Sequence, residues 1–360
     1  MNAATRAAVA YCLTRGHTPV ALHNGFPGLC RHHDDQPVGS VREMSWLDVQ
    51  GWVSRGGSEI GCNRALPSDD MPKTAWCFEK YRIEALFIVG GFEAFTAVSE
   101  LRKARSEYSA FKIPIALLPA TISNNVPGTE YSIGSDTCLN ALVDYCDAIK
   151  QSASASRRRC FVVETQGGKS GYIATIAGLS IGATAVYTPE EGINIKMLAR
   201  DIEHLRASFA KDRGQAKAGK LILRNEHASD TYTTEVIANM IKEEAHGRFE
   251  SRHAIPGHVQ QGGTPSPMDR CRAIRLAVRC IEFLEGSAAS SKHTDSSDVV
   301  VIGIKGASVV FGPMETVEKH ETNWKDRRPK DESWLELKTI VDTLSGRPKP
   351  EDCCESCGRR

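Results

Sequence analysis

The chain has 360 residues, 41% apolar and 25% charged, a composition typical of a globular protein long enough to fold as two lobes. Its 45 basic and 44 acidic side chains give a formal net charge of +1. This near balance argues against nucleic acid or an anionic membrane as the main partner, because both usually require a basic surplus. No apolar run approaches the ~18 residues of a transmembrane helix.

The predicted elements begin with an amphipathic helix over residues 1–16, where Ala, Val and Leu recur at helical spacing. Short runs rich in β-branched residues predict seven strands: Pro19–His23, Ala85–Val89, Ile113–Leu118, Cys160–Glu164, Ala183–Tyr187, Lys220–Leu223 and Val299–Ile304. Helical patterns between them predict six further helices: Phe92–Ser106, Ser135–Gln151, Ser170–Ile181, Asn194–Ala207, Thr233–His246 and Arg270–Glu285.

Strands that alternate with helices are the signature of βαβ units, so the predicted fold class is α/β. We expect mostly parallel sheets covered by helices on both faces, because the strands are continuously apolar. The polar stretches Ser152–Arg159 and Gly286–Asp298 are predicted to be surface loops, and nothing periodic follows Pro348. We therefore expect a disordered end.

Most of the twelve cysteines lie in apolar runs, such as those around Cys12 and Cys160, which is typical of core thiols in a reducing cytosol. We therefore expect a cytoplasmic protein. The denser group Cys353, Cys354 and Cys357 could form a metal or redox site. Because it lacks a second pair of ligands, a solvated tail is the stronger interpretation.

A polar loop bearing glycine or amide residues follows several of the predicted strands. These loops are Gly90–Ala94, Pro119–Asn125, Glu164–Gly171, Arg224–Glu226 and Gly257–Gly263. Ligands of open α/β sheets bind at the carboxyl ends of strands and at the helix amino termini beside them. We therefore expect several of these loops to face one cleft.

The residue types in these loops suit a polyol phosphate. Hydroxyls, amides and backbone N–H groups match sugar hydroxyls and phosphate oxygens. Glu226 could accept hydrogen bonds from sugar hydroxyls, and His258 could donate one to phosphate. Four arginines beside the loops could bind phosphate in a bidentate manner: Arg64, Arg159, Arg252 and Arg327.

Each of these residues also has a structural interpretation. Asn124 and Asn125 could form only a turn, and Gly167–Gly168 only a close strand-to-helix packing. Glu226 could be a solvated carboxylate, His258 a hydrogen-bonded core histidine, and each arginine a surface residue. The residues alone leave both interpretations open.

Taken together, the loops resemble those of the phosphofructokinase family over roughly residues 1–335, in the family's order and spacing. The resemblance is carried by MNAATR, GGSEIGCNRALP (56–67), IVGGFEAF (88–95), PATISNNVPGTEYSIGSDTCLN (119–140), ETQGGKSGYIATIAG (164–178), LRNE (223–226) and GHVQQGGTPSPMDR (257–270). It implies a two-lobed fold. We place the first lobe at 1–132 plus about 259–335, the second at 133–258, and a tail at 336–360.

Eukaryotic members of this family resemble a duplicated bacterial-type enzyme, in which the first half transfers phosphate from ATP to fructose 6-phosphate. Their second half has turned its substrate site into an effector site for fructose 2,6-bisphosphate. A catalytic half carries a GGDGS-type loop for Mg²⁺ and a TIDND loop whose first Asp is the catalytic base. Here the corresponding residues are Gly90–Ala94 (GGFEA) and Thr121–Asn125 (TISNN), with Ser123 at the base position.

Phosphoryl transfer relies on metal-bridged phosphates and a carboxylate that accepts the proton of the nucleophile. Serine cannot act as this base near neutral pH, and an amide carries no charge to attract Mg²⁺. The resemblance therefore implies a regulatory half without catalytic residues, metal or cofactor. Mg²⁺ and ATP are expected only for the intact enzyme.

Carried over residue by residue, the resemblance implies contacts with fructose 2,6-bisphosphate from Arg64, Thr121, Ile122, Ser123, Asn124, Asn125, Gln166, Gly167, Gly168, Glu226, His258, Val259, Gln260, Gln261 and Arg327. By the same resemblance, Arg159 and Arg252 would reach into the site of a neighbouring chain. The implied partners are thus the effector, further copies of the chain and a catalytic half. Animal relatives have Met at the position of Gln166, which points to a fungal type.

One departure concerns the start of the chain. The halves of the family open with a strand and a glycine-rich turn before the Met-Asn found here as Met1-Asn2. We therefore expect the first strand and the catalytic half to be missing, and a fragment that is unstable on its own.

Two rival interpretations remain. A self-sufficient sugar-phosphate kinase could have relocated its base to Glu93 or Asp136. A nucleotide-binding Rossmann enzyme is disfavoured, because no G-x-G-x-x-G follows a strand with an acidic residue about 20 positions further on.

Overall fold

A computed structural model of the chain describes residues 1–31, 40–156, 158–211, 219–289 and 296–348. These residues form two compact units. The first comprises Met1–Thr137 and Gly263–Asp331, and the second comprises Cys138–Gly262 together with the described residues from Glu332 onward. In the described part of the chain, no helix combines the length and the apolar character needed to cross a bilayer.

The strands of the described residues are β1 Val20–Leu22, β2 Val41–Glu43, β3 Leu86–Gly90, β4 Ile115–Pro119, β5 Arg159–Thr165, β6 Ala185–Tyr187, β7 Lys220–Asn225, β8 Glu250–Ala254, β9 Val299–Lys305, β10 Ser308–Pro313, β11 Thr322–Asn323 and β12 Arg328–Pro329. The helices are α1 Asn2–Thr14, α2 Gly25–Arg31, α3 Met71–Lys80, α4 Phe92–Ala104, α5 Ser135–Ser156, α6 Tyr172–Ile181, α7 Ile195–Lys211, α8 Thr234–Glu244, α9 Pro267–Ala289, α10 Met314–Thr316 and α11 Trp334–Ser345.

The first unit is built on a four-stranded sheet in the order β10-β9-β4-β3, in which only β10 is antiparallel to its neighbour. Leu117 and Val301 pack in one core cluster with residues of α3 and α4. Their sequence neighbours Ala116 and Val300 pack in a second cluster with α1 and α9. Because successive strand residues point to opposite faces, both faces are covered by helices, as the apolar strands predicted.

The second unit is built on an all-parallel sheet in the order β6-β7-β5-β8. Val162 packs in one cluster with Leu205 of α7 and Ile241 of α8. Helix α6 approaches the sheet closely at Gly178, where an added Cβ would lie only 2.4 Å from Cγ2 of Val186. The predicted α/β fold with mostly parallel sheets is thereby confirmed.

The polar stretch predicted as the loop Ser152–Arg159 is largely regular structure. Helix α5 continues to Ser156, and β5 begins at Arg159. Ala153 is fully buried and Ser154 donates its hydroxyl hydrogen bond to the Lys150 carbonyl, 2.8 Å away. Small residues that satisfy their own polar groups can thus extend a helix whose sequence looks like a loop.

The second predicted loop, Gly286–Asp298, also begins within a helix, because α9 extends to Ala289. Residues 296–298 form one short helical turn before β9. The residues between them, 290–295, lie outside the described part of the chain.

Helix α11 covers the start of the predicted tail and belongs to the second unit. Trp334 is 4% exposed and donates its indole N–H to Glu190, 3.2 Å away. Arg347 forms two hydrogen bonds to Asp201 of α7, at 2.8 and 2.7 Å. These buried contacts bind the segment to the second unit. The cysteines at 353, 354 and 357 lie outside the described residues.

Candidate functional site

In the first unit, two of the predicted ligand loops emerge side by side from the carboxyl ends of β3 and β4. Gly90 and Pro119 lie opposite each other in the parallel register, and the Ala120 N–H donates to the Gly90 carbonyl at 2.8 Å. A Cβ on Gly91 would lie 3.2 Å from Cβ of Thr121. Glycine at this position therefore allows the two loops to approach each other.

The loop Thr121–Asn125 is held in shape by Asn124, which is 3% exposed and has a φ of 49°. Its amide donates to the Glu130 carbonyl at 2.8 Å, and its side-chain oxygen accepts from the Ser132 N–H at 2.6 Å. Asn124 is therefore a positioning residue whose amide is already engaged. The remaining side chains of the loop are half-buried and uncharged: Thr121, Ile122, Ser123 and Asn125.

Arg327 is brought to the same two loops by the turn between β11 and β12. Its Nη2 lies 2.9 Å from Oε1 of Glu93, and its guanidinium stacks over the ring of Phe92 at 5.1 Å. The Asn125 amide donates to the Arg327 carbonyl at 2.9 Å. The first unit thus places one exposed cation beside the neutral TISNN loop, with a carboxylate of the GGFEA loop as its partner.

Arg64 lies on an exposed loop of the first unit and forms no ion pair among the described residues. The loop itself is ordered by local bonds. The Asn24 N–H donates to the Ile60 carbonyl at 2.8 Å, and Asn63 accepts from the Ala65 N–H at 2.7 Å. Its guanidinium is therefore available to an anion.

In the second unit, Glu226 at the end of β7 faces the loop that follows β5. Its Oε1 accepts hydrogen bonds from the backbone N–H groups of Gly167 and Gly168, at 3.0 and 2.9 Å. Gly168 has a φ of 57°, the left-handed conformation that turns successive N–H groups towards one acceptor. This backbone nest is thus occupied by a carboxylate of the same chain.

The turn Gly257–Gln261 is joined to the same loop by Gln260, which is 1% exposed. Its side-chain oxygen accepts from the Gln166 N–H at 2.8 Å, and its amide donates to the Gln166 carbonyl at 3.0 Å. Gln260 therefore positions the turn. The predicted ligand residues His258, Val259 and Gln261 are exposed on it.

Arg224 was not among the predicted site residues. It is 2% exposed and pairs with Glu164 at 3.2 Å. Its guanidinium also donates to the carbonyls of Ser229, Tyr232 and, at 3.4 Å, Glu226. Burial lowers the pKa of Arg224, and nearby carboxylates oppose this shift. The sequence could have indicated this role, because an arginine inside the apolar strand LILRN is buried and a buried charge must be paired.

Arg159 and Arg252 do not lie with the loops of their own unit. Arg159 is the first residue of β5, and Arg252 is the central residue of β8, paired with Phe161. The Gly167 loop follows the far end of β5, about 20 Å from Arg159 for a seven-residue strand. Arg159 Nη2 lies 2.7 Å from Glu250 Oε2, and Arg252 Nη2 lies 3.6 Å from it. The hydrogen bond and charge of Arg159 lower the pKa of Glu250, with a smaller effect from Arg252.

Within the described residues, no group of three His, Cys, Asp or Glu side chains is arranged to hold a metal ion. The geometry offers hydroxyls, amides and cations near the carboxyl ends of parallel strands in the two sheets. These features define the class of α/β proteins that bind ligands at the ends of parallel strands. A family model of phosphofructokinase matches residues 1–284, and the chain belongs to that family.

Fungal relatives extend this match along the whole chain. The chain is 67% identical over 363 residues to an ATP-dependent 6-phosphofructokinase of Aspergillus fumigatus, covering 99% of this chain and 45% of the relative. It is 52% identical over 359 residues to the beta subunit of the Komagataella phaffii enzyme, covering 96% and 38%. The chain therefore spans about half the length, or less, of the relatives it matches.

Solved structures of phosphofructokinases are also similar to this chain. The phosphofructokinase of Saccharomyces cerevisiae superimposes with a TM-score of 0.92 at 46% identity, covering 97% of this chain and 47% of that one. The T-state enzyme of Pichia pastoris gives a TM-score of 0.89 at 50% identity, covering 97% and 40%. A pyrophosphate-dependent phosphofructokinase of Nitrosospira multiformis, at 14% identity and a TM-score of 0.69, shares the fold.

Proposed function

We propose that the chain is the regulatory half of an ATP-dependent 6-phosphofructokinase and binds fructose 2,6-bisphosphate in a degenerate substrate site. The names of the fungal relatives support the assignment to an ATP-dependent 6-phosphofructokinase. The chain matches 45% and 38% of the length of these two relatives, which is compatible with one half of such an enzyme. In the intact enzyme, a catalytic half would transfer phosphate from MgATP to fructose 6-phosphate as a step of glycolysis in the cytoplasm.

The observation that carries this proposal is the neutral loop Thr121–Asn125 beside the GGFEA loop. Ser123 replaces the carboxylate that would accept the proton of the sugar hydroxyl, and a hydroxyl is not a base near neutral pH. Glu93, the carboxylate of the neighbouring loop, is paired with Arg327 at 2.9 Å. Two neighbouring loops with no free carboxylate suit retention of phosphate and not its transfer.

The second unit would recognise the sugar. Oε1 of Glu226 is engaged by two backbone N–H groups, so its second oxygen is left to accept a bond from a sugar hydroxyl. His258 lies exposed on the turn fixed by Gln260 and would donate to a phosphate. Arg159 and Arg252, which pair with Glu250, would bind the effector of a neighbouring copy in a homo-oligomer.

Calorimetric titration of the purified chain with fructose 2,6-bisphosphate tests this function, with fructose 6-phosphate as the comparison ligand. We expect saturable binding that prefers the bisphosphate. A matched Arg64→Gln variant should bind more weakly, since it loses one charge but keeps the loop bonds of Asn63. Equal affinity for both sugars, or no heat from a chain whose circular dichroism shows it folded, would contradict the proposal.

The alternative, a self-sufficient kinase with a relocated base, is weaker because both carboxylates it could use are engaged. Glu93 pairs with Arg327 and Asp136 accepts a hydrogen bond from the Ser266 hydroxyl. It would require Mg²⁺-dependent turnover of ATP by this chain alone. A coupled assay for ADP with fructose 6-phosphate as acceptor distinguishes the two functions.

A further inference from the structure

Two cysteines of the first unit meet in the contact between α2 and α3. Cys30 lies in the last turn of α2, and its Sγ is 3.5 Å from Oγ1 of Thr74 on α3. Cys77 lies one helical turn after Thr74, and its Sγ donates to the carbonyl of Leu29, 3.6 Å away. Because positions three apart share a helix face and Leu29 precedes Cys30, both thiols lie in the same contact.

The environments of the two thiols differ. Cys77 is 2% exposed, whereas Cys30 is only half-buried. Burial, and after it the adjacent Cys30 thiol, raises the pKa of Cys77. Cys30 is therefore the thiol that an external reagent reaches first, and Cys77 is the thiol beside it. By comparison, burial raises the pKa of Cys146 and Cys160 to about 12, which makes those two thiols unreactive.

We propose that Cys30 and Cys77 form a redox-active dithiol that a low-molecular-weight disulfide converts to an intramolecular disulfide between α2 and α3. The Cys30 thiolate attacks one sulfur of the reagent, forming a mixed disulfide and releasing one thiolate. Cys77 then loses its proton and attacks the Cys30 sulfur, releasing the second thiolate. Two protein thiols are oxidised and one reagent disulfide is reduced to two thiols, so the exchange balances.

The cross-link would act on the loop that carries Arg64, because this loop lies between the two cysteines in the chain and contacts the start of α2. The Asn24 N–H donates to the Ile60 carbonyl at 2.8 Å, and an added Cβ on Gly61 would lie 2.1 Å from Oδ1 of Asn24. Tying α2 to α3 would therefore restrain the loop from both sides. Any effect of the cross-link on bisphosphate binding rests on the proposed function. The formation of the disulfide itself does not.

The test treats the full folded chain with oxidised glutathione, blocks the free thiols and maps the tryptic peptides. Cys30 and Cys77 are the single cysteines of the tryptic peptides 16–31 and 74–80, so the cross-link has a defined mass. The background variant replaces by serine the exposed or tail cysteines, namely Cys62, Cys271, Cys353, Cys354 and Cys357. The joined peptide is the expected product. Glutathione retained on Cys30 alone, or pairing of either cysteine with another one, overturns the proposal.

A second measurement does not depend on peptide recovery. A disulfide constrains the unfolded chain, so oxidation should raise the Tm of the background variant by about 4–10 °C. Hydrogen exchange of the amides at 58–64 should slow at the same time. The Cys30→Ser variant, which keeps a polar group towards Thr74, should show neither change. An oxidation-dependent Tm rise that persists in Cys30→Ser would also overturn the proposal, and no sugar ligand enters either experiment.

Discussion

Oε2 of Glu250 lies 2.7 Å from Nη2 of Arg159 and 3.6 Å from Nη2 of Arg252. One carboxylate thus pairs with two arginines on adjacent parallel strands. If these arginines bind a phosphate of a neighbouring copy, Glu250 competes with that phosphate. In that case Glu250 would set the anion affinity of the two arginines.

The Glu250→Gln variant should bind fructose 2,6-bisphosphate more tightly, because the amide keeps the size of the side chain but releases both arginines. We expect about a two- to fivefold lower Kd, the range of an exposed ion pair. Calorimetry at one fixed salt concentration measures it. The Glu203→Gln variant, which removes an exposed pair with Arg206, is the control and should leave the affinity unchanged. Equal effects of both variants would remove the assigned role of Glu250.

The Arg159→Ala variant should bind the bisphosphate more weakly, by on the order of 2–5 kcal/mol, because it would remove a charge that is desolvated against phosphate in the interface. The adjacent Arg158→Ala variant controls for net charge. An affinity equal to that of the unmodified chain would show that Arg159 does not contact the effector.

The Ser123→Asp variant should show no kinase activity. It restores a carboxylate at the base position, but the loop Gly90–Ala94 still lacks the metal-holding aspartate of the GGDGS type. The assay couples ADP release to NADH oxidation with MgATP and fructose 6-phosphate. Turnover that is absent from a parallel Ser123→Asn sample would contradict the proposed regulatory role of the chain.

The Arg224→Met variant should destabilise the second unit by about 2–5 kcal/mol, because it leaves the Glu164 carboxylate and several carbonyl groups without their donor. It should also weaken sugar binding, since the Glu226 backbone loses one of its hydrogen bonds. Urea unfolding measures the first effect. The exposed Arg279→Met variant should change stability by less than about 0.5 kcal/mol, and a similar loss in both would contradict this role.

Glu318 predicts a pH dependence of stability. Its carboxylate is 10% exposed, and although burial raises its pKa, hydrogen bonds from Lys103, Arg102 and Ser99 outweigh this and lower the pKa overall. Because the folded pKa is below the unfolded one, the stabilisation is present above the ordinary glutamate pKa of about 4.3 and is lost as pH falls through the folded value. Compared with Glu318→Gln, the unmodified chain should therefore lose more stability between pH 7 and pH 3. An equal loss of unfolding free energy in the two proteins between pH 7 and pH 3, measured by denaturant unfolding, would contradict this prediction.

The strands of both sheet centres were predictable because they are buried on both faces and their sequences are continuously apolar. Strand β8 was missed because three of its five residues, Glu250, Arg252 and His253, are exposed at an edge of the sheet. Burial there depends on neighbours distant in sequence. The same limit applies to α11, whose buried contacts are made by residues far from it in the chain.

For the site, the strand-end rule predicted which loops carry polar groups, and the structure places them at the carboxyl ends of β3, β4, β5 and β7. The rule could not separate residues that face a ligand from those that hold the loops. Asn124 and Gln260 belong to the second kind, because each is buried and bonded to backbone groups. Such a division depends on tertiary packing, which residue type and spacing do not encode.

If Glu226 binds a sugar as proposed, the double hydrogen bond that it accepts from Gly167 and Gly168 would make this binding stereoselective. The carboxylate is oriented when the chain folds, so little side-chain entropy remains to be lost when a sugar arrives. Its second oxygen would then have a fixed direction and would accept only a hydroxyl presented along it. Epimers that differ at this hydroxyl would be discriminated by geometry alone, since the acceptor cannot turn to follow them.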